Sequence, residues 1–197
     1  MVAISKTSKI ERIIKLTLLA IVGSILITIS AKIKIPFYPV PMTMQTFVIL
    51  LIGITYGYKI GLATVTLYLL EGIFGLPVFA NSPEKGIGLV YFTGPTMGYL
   101  VGFLVAVYFT KFISRKNVNW SGYKSLNTLV AFLILFTKLL ISVSFIYILG
   151  LLWLGYLIGW DKPIFELGAQ PFLLAELFKL LLLTVLYPWI KKLNKFI

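Results

Sequence analysis

Long apolar stretches alternate with short polar connections along the whole chain. Crossing the hydrocarbon core of a membrane takes about 20 mostly apolar residues, and six stretches reach or approach that length. They cover residues 13–31, 43–58, 60–80, 94–113, 128–150 and 171–190. The pattern predicts an all-α integral membrane protein with six transmembrane helices, forming a single domain over residues 1–197.

The connections between these stretches refine the prediction. The second stretch joins the third through Gly57, Tyr58 and Lys59, so the two helices should form a tight hairpin. The first stretch lies where a secretory signal would, but it lacks a small-residue cleavage site and is followed by further spans. We therefore expect it to be retained.

Composition agrees with a membrane protein and narrows the chemistry. Hydrophobic residues make up 59% of the 197 positions and charged residues 12%, whereas soluble domains contain about 25% charged residues. The chain contains no cysteine and no histidine, so it has no disulfide, thiol nucleophile or imidazole metal ligand. We expect no metal, no cofactor and no catalysis. A lipid-modifying transferase or intramembrane protease would need a carboxylate cluster or an activated nucleophile.

The net charge of +12 is distributed unevenly over the predicted connections. The side that includes both termini has one acidic residue, Glu11, and the basic residues Lys6, Lys9, Arg12, Lys15, Lys59, Lys111, Arg115, Lys116, Lys124, Lys191, Lys192 and Lys195. The other side has Lys32, Lys34, Lys85 and Lys162 against Glu84, Asp161 and Glu166. By the positive-inside rule, the first side and both termini are cytoplasmic. Topology thus accounts for the basic residues in preference to nucleic-acid binding.

Charged residues inside predicted spans are candidates for a functional site, because their burial in a membrane is costly. Glu176 and Lys179 lie three residues apart, on one face near the outer end of the last helix. They either satisfy each other as an ion pair or bind a small polar ligand. Glu71 and Lys138 are predicted at a common depth of about 15 Å, which favours an ion pair between the third and fifth helices. Alternatively, Lys138 extends toward the cytoplasm while Glu71 is protonated or bonded to hydroxyl groups.

Two amides and a glycine pattern lie near the predicted outer surface. Gln45 begins the second helix and Asn81 follows the third, so each amide either binds a ligand or caps a helix end. Glycines 94, 98 and 102 recur every fourth residue in the fourth helix, which favours close packing against another helix. No Walker-type phosphate-binding sequence occurs, so any ATP hydrolysis must belong to another subunit.

Four sequence blocks together resemble one known family. They are VPMTMQT at 40–46, YLLEGIFGLPVFA at 68–80, GPTMGY at 94–99 and PFLLAELFK at 171–179. In this order, with matching spans between them, they are similar to the BioY family of biotin-specific S-components of energy-coupling factor (ECF) transporters. The chain departs from the family pattern at Ala175 and Glu176, where Gly-Asp is usual, and at Glu71, where an aliphatic residue is usual.

The resemblance implies a substrate-binding subunit in the plasma membrane that takes up biotin, with a transmembrane coupling protein and two ATPase subunits as partners. The expected substrate-binding residues are Gln45, Asn81, Tyr99, Glu176 and Lys179. An S-component for another vitamin would keep the same architecture. A purely structural membrane subunit would leave Glu176 and Lys179 without a ligand.

The same resemblance implies a docking surface for the coupling protein. We expect docking on the cytoplasmic side against the first helix. There Ala20, Gly23 and Ser24 form a small-residue face that would permit close helix approach. The family resemblance also implies that the docked subunit tilts in the membrane to release its cargo inward.

Overall fold

A computed structural model of the chain describes residues 9–113 and 126–193. Within them, the chain forms α1 Lys9–Lys32, α2 Gln45–Tyr56, α3 Tyr58–Ile73, α4 Met97–Phe109, α5 Leu126–Ile158, α6 Ile164–Gly168 and α7 Leu173–Leu193. Short 3₁₀ helices cover Gly88–Thr93, Thr110–Phe112 and Gln170–Phe172. Between α1 and α2, strands β1 Lys34–Ile35 and β2 Met42–Thr43 pair antiparallel. Of the residues assigned to the cytoplasmic side, Lys6, Arg115, Lys116, Lys124 and Lys195 lie outside the described residues.

The surface of the helices is apolar, as lipid requires. Among the described residues, the stretches Lys9–Lys32, Leu129–Ile158 and Ile164–Ile190 are long and apolar enough to cross a membrane. Large apolar side chains are exposed on α1 and α7, including Leu18 at 57% and Phe178 at 70%. Extended apolar surfaces of this kind mark contact with a membrane or a partner. The prediction of an all-α protein with membrane-type helices is confirmed.

Helix α2 lies at the centre of the bundle, where it contacts α1, α3, α4, α5 and α7. Ile49 and Leu50 on this helix are fully buried. Because other helices surround α2, its apolar residues extend round the helix instead of forming one stripe. This packing fixes the position of Gln45, the first residue of α2, at one end of the bundle.

Hydroxyl side chains inside the helices are satisfied locally. Their donors bond to the carbonyl four residues earlier, at Thr55 to Leu51, Thr64 to Ile60, Ser142 to Lys138 and Thr184 to Leu180, over 2.7–2.9 Å. An apolar solvent offers such groups no alternative partner, so back-bonding lets them lie inside a bundle at small cost.

Two glycines of the predicted pattern, Gly98 and Gly102, pack against α5, whereas Gly94 lies before α4. A Cβ atom on Gly98 would lie 2.3 Å from the carbonyl oxygen of Leu149, and one on Gly102 would lie 2.6 Å from Cα of Ile146. Real side chains do not approach backbone so closely, so only glycine permits this helix contact. It is the most extensive contact between two helices in the described part of the chain.

The third helix is shorter than its apolar stretch predicted. Helix α3 ends at Ile73, whereas the predicted span continued to Ala80. Gly75 adopts a φ of +92°, which turns the chain back, and the Phe79 ring then occupies the space beside Gly72. Val78, Phe79 and Ala80 are therefore buried by a returning loop and not by continued helix, whereas Phe74 and Leu76 stay exposed.

The fifth helix is longer than predicted. We expected an end near Gly150, but α5 continues to Ile158 and the chain leaves the helix at Gly159, which has a φ of +95°. Gly150 stays helical because the Tyr99 ring packs where its side chain would be. At this position glycine provides a contact surface for α4 and does not terminate the helix.

The predicted ion pair between Glu71 and Lys138 is not formed. Glu71 accepts a short hydrogen bond from the Ser24 hydroxyl, and Lys138 Nζ donates to the carbonyl of Phe112 at 2.9 Å. The two helices are not packed against each other: α3 packs against α1, α2 and α4, whereas α5 packs mainly against α4, α6 and α7. Glu71 lies two residues before the end of α3, whereas Lys138 bonds to the chain just after α4. The alternative, a Lys138 that extends away and a Glu71 bonded to a hydroxyl, describes the structure.

The glycine contact can be tested by substitution. We expect Gly102→Leu to lower the free energy of unfolding by about 1–3 kcal/mol, because the added side chain would overlap Ile146. Val101→Leu, at a neighbouring exposed position of α4, should change it by less than about 0.5 kcal/mol. Thermal unfolding of the purified proteins in detergent measures both, and equal effects would contradict the packing interpretation.

Candidate functional site

A cavity opens between β2, the loop before it and the first turns of α2 and α7, with α4 and α5 forming the opposite wall. It contains about 550 Å³ of space free of atoms, including its open mouth. The lining is mostly apolar and aromatic with a few polar groups. It consists of Val40, Pro41, Met42, Thr43, Gln45, Thr46, Ala80, Tyr91, Thr96, Tyr99, Leu100, Phe103, Ile146, Tyr147, Phe172 and Glu176.

The charged pair predicted on the last helix lies at the wall of this cavity. Lys179 Nζ is 2.7 Å from Glu176 Oε1, and both side chains are only 7% exposed. The ammonium also donates to the carbonyl of Thr43 at 2.6 Å and to Thr46 Oγ1 at 3.2 Å. Glu176 lines the cavity, whereas Lys179 lies behind it. The two residues therefore do form an ion pair, which leaves open whether they also serve a ligand.

The second oxygen of the Glu176 carboxylate is the unusual feature. Oε1 is shared by Lys179 and by the hydroxyl of Thr46, which donates at 2.8 Å. Oε2 is buried and accepts no hydrogen bond of standard geometry from the described residues, while the Tyr147 hydroxyl lies close to the carboxylate. A buried acceptor without a donor costs about 1–3 kcal/mol or more when it carries charge. A ligand N–H or O–H group in the cavity would remove that cost.

Gln45 is held by a network and not by capping. Its Nε2 group donates to the Tyr68 hydroxyl at 2.8 Å, and its Oε1 accepts from Thr43 Oγ1 at 3.3 Å. Gln45 and Tyr68 are both buried. The Gln45 side chain therefore does not cap α2. It bonds to Tyr68 of α3, and this bond fixes the amide at the cavity wall.

Asn81 does not line the main cavity. Its side-chain Oδ1 accepts from Lys34 Nζ at 3.1 Å, and it borders a small adjoining recess with Tyr91 and Thr96. Tyr91 and Thr96 line both spaces, so Asn81 lies one residue layer away from the cavity. Burial raises the pKa of Tyr91, which keeps its phenol neutral while the hydroxyl accepts from the Asn81 backbone N–H at 3.3 Å.

Tyr99 lines the cavity with its ring. Its hydroxyl donates to the carbonyl of Gly168 at 2.7 Å and is buried there. That bond ties α4 to the end of α6 and occupies the hydroxyl. Tyr99 therefore offers a ligand an aromatic surface in preference to a hydrogen bond.

Several lining residues were not predicted as site residues. Thr46, whose hydroxyl donates to Glu176, had a signal in the sequence, since it is a polar residue in an apolar stretch directly after Gln45. Tyr147 and Phe172 had none, because an aromatic residue in an apolar helix or loop is usually core. Phe172 contacts Phe37 edge to face with ring centres 5.7 Å apart, which brings the first loop to the cavity.

The small-residue face of the first helix is already used inside the fold. Ala20, Gly23 and Ser24 are all buried, and a Cβ atom on Gly23 would lie 2.5 Å from the side chain of Thr64 on α3. The small residues here permit the approach of α3. Their predicted role in docking a coupling protein stays a prediction.

Comparison with known proteins yields one family. The sequence model of the BioY family matches residues 4–196. The biotin transporter BioY of Thermotoga maritima is 34% identical over 169 residues, covering 86% of this chain and 91% of that protein. The probable biotin transporter BioY of Pyrococcus horikoshii is 30% identical over 154 residues, covering 78% of this chain and 82% of that protein.

A solved structure has the same fold. It is the S-component for biotin from an ECF-type ABC transporter, determined by crystallography at 2.1 Å. The superposition has a TM-score of 0.68 and covers 95% of this chain and 94% of that one, with 24% sequence identity. The likeness therefore extends over nearly the whole bundle.

The buried pair should be coupled energetically. We expect Lys179→Met to lower the free energy of unfolding without ligand by about 3–5 kcal/mol, because it leaves the Glu176 carboxylate buried without its cation. Adding Glu176→Gln should recover at least about 1 kcal/mol. Lys162→Met, which breaks the exposed pair with Asp161, should cost less than about 1 kcal/mol. Strictly additive effects at Lys179 and Glu176, measured by unfolding in detergent, would contradict the coupling.

Proposed function

This chain belongs to the BioY family, and from that membership we propose that it binds biotin as the substrate-specific subunit of a vitamin uptake transporter. Relatives named as biotin transporters cover most of the chain. The observation that carries the proposal is the cavity wall in which Glu176 presents a buried, unpartnered Oε2. Family membership alone would support the fold and the general role. This oxygen adds that the ligand should present a hydrogen-bond donor to Glu176.

Biotin meets that requirement in one orientation. Its ureido ring offers two N–H donors and a carbonyl, and its ionised carboxylate offers acceptors alone. Since Glu176 Oε2 needs a donor, the ureido end faces α7. The apolar wall formed by Leu100, Phe103 and Ile146 suits the sulfur-containing ring. The proposed substrate-binding residues are thus Gln45, Tyr99 and Glu176 at the cavity, with Asn81 and Lys179 supporting from behind.

We propose that six helices, α1 to α5 and α7, cross the plasma membrane as a single domain with both termini in the cytoplasm. The uneven charge distribution supports this orientation, because the side of the termini carries nearly all of the net positive charge. In this arrangement, the cavity near the start of α2 and α7 faces outward. Substrate is then captured from outside the cell.

We propose that a transmembrane coupling protein and two ATPase subunits supply the energy for transport, as the family implies. The chain itself has no Walker-type sequence. The exposed face of α1 near the cytoplasmic end, with Ile14, Leu18 and Val22, offers an apolar surface for the coupling protein. It adjoins the small-residue face of Ala20, Gly23 and Ser24, whose part in docking stays a prediction.

The proposal is tested by ligand binding to the purified protein in detergent. We expect saturable binding of radiolabelled biotin and release of biotin, identified by mass spectrometry, from protein purified without added ligand. Copurification of a different vitamin would show an S-component of other specificity. Absence of any small molecule, with no biotin binding, would support a structural subunit instead.

Glu176→Gln should weaken biotin binding by about 1–3 kcal/mol. Lys179 and Thr46 would keep the amide oxygen in the position of Oε1, so the amide N–H₂ would face the substrate donors. Glu166→Gln removes the same charge at an exposed position of α6 and should leave affinity unchanged. Isothermal titration with biotin measures both variants; an unchanged affinity for Glu176→Gln would remove this oxygen from the site.

The orientation in the membrane can be tested because the natural chain has no cysteine. We expect Lys85→Cys and Lys162→Cys to react with a membrane-impermeant maleimide in intact cells. Lys59→Cys, in the connection between the second and third spans, should react only after permeabilisation. The reverse labelling pattern would show that the termini lie outside.

A further inference from the structure

Two lysines, one at the end of α1 and one in β1, bind four consecutive residues of the loop that follows α3. Lys32 Nζ donates to the carbonyls of Phe79 and Ser82, both at 2.7 Å. Lys34 Nζ donates to the carbonyl of Ala80 at 2.7 Å and to Asn81 Oδ1 at 3.1 Å. Every residue of the 79–82 segment therefore gives one oxygen to an ammonium group. Hydrogen bonds with a charged donor are stronger than neutral ones, and these are partly shielded from solvent.

The segment that the lysines hold forms part of the cavity wall. Ala80 lines the cavity directly, and Asn81 borders the recess behind Tyr91. On the inner side, Phe79 stacks on Tyr91 with ring centres 4.5 Å apart. The aromatic stack holds the segment to its own loop, whereas the two lysines connect it to α1 and β1. Moving the segment away from the first loop would require all four bonds to break.

The bond from Lys34 also determines what Asn81 can offer. An ammonium group has only donors, so the amide oxygen must face it. The N–H₂ group is then the part of the amide that can donate within the recess beside the cavity. Without Lys34, the amide could rotate and present either group. The lysine thus converts a residue of ambiguous polarity into a hydrogen-bond donor.

We propose that Lys32 and Lys34 form a clasp, defined as these two side chains and their four bonds, which holds the 79–82 segment closed over the cavity and orients Asn81 as a donor. Neither lysine lines the cavity, so both are positioning residues. This inference rests on the proposed function for its substrate. The four bonds themselves exist in the protein without substrate.

The first arm of the test uses no ligand. In the cysteine-free chain, Ser82→Cys places a thiol at a position that is 2% exposed, and its reaction rate with a maleimide reports opening of the segment. We expect Lys32→Met with Lys34→Met to raise that rate about tenfold, as loss of bonds to charged donors implies. Lys162→Met removes one positive charge from an exposed pair and should leave the rate unchanged.

An increase of less than about threefold over the Lys162→Met control would overturn the clasp, since bonds to charged donors imply a larger change. Ser142→Cys, buried in α5, reports global loss of structure in the same double variant. If labelling of this second thiol also accelerates, the single variants Lys32→Met and Lys34→Met are compared with the control by the same threshold. Each single variant removes two of the four bonds.

The second arm measures biotin dissociation. We expect Lys34→Met to accelerate it about tenfold in the wild-type background and by less than about threefold when Asn81→Ala is present, because coupled residues give non-additive effects. The same factor in both backgrounds would overturn the role of Lys34 in orienting Asn81. If the wild-type protein binds no biotin, the proposed function fails, while the labelling arm still decides the clasp.

Discussion

The ammonium group of Lys179 has to find its partners inside an apolar bundle, and the end of the molecule that contains the cavity is arranged around it. It has three hydrogens and meets three acceptors, the carbonyl of Thr43, the hydroxyl of Thr46 and Oε1 of Glu176. These acceptors belong to β2, α2 and α7. Since an uncompensated buried charge costs several kcal/mol, the three elements cannot separate without a large penalty. The pair therefore fixes the geometry of the cavity before any ligand arrives.

Because all three N–H donors of Lys179 are used within the protein, Lys179 and Glu176 have different roles toward a ligand. The lysine has no donor left, so it acts on a ligand only through Glu176. The carboxylate has one oxygen committed to the protein and the other buried without a donor. Such an arrangement selects for a ligand with N–H groups and against one that brings only acceptors. Polar selectivity thus follows from which hydrogen bonds the protein leaves unmade.

Local properties of the sequence predicted the class of fold and the charged pair, because hydropathy and a spacing of three residues on a helix need no knowledge of distant contacts. The end of α3 could not be predicted, since the Phe79 ring packs against Gly72 only after the loop has folded back. For the same reason, Ser24 could not be assigned to Glu71 from spacing alone. The predicted roles of Asn81 and Gln45 as site residues stay predictions, but their partners Lys34 and Tyr68 depend on contacts between segments far apart in sequence.

The short helices explain why a cavity with buried polar groups exists in so apolar a protein. Helix α2 has 12 residues and α4 has 13, or about 18–20 Å at 1.5 Å per residue, whereas the hydrocarbon core is about 30 Å thick. The missing length leaves space at one end of the bundle, which the loops before α2 and α4 occupy. Non-helical backbone at membrane depth is tolerated only where protein surrounds it or where it lines a cavity, because lipid cannot bond to its carbonyls. Lys32, Lys34 and Lys179 supply donors to such carbonyls. These three lysines are therefore a consequence of the short helices, because they satisfy loop backbone that lies where helix is absent.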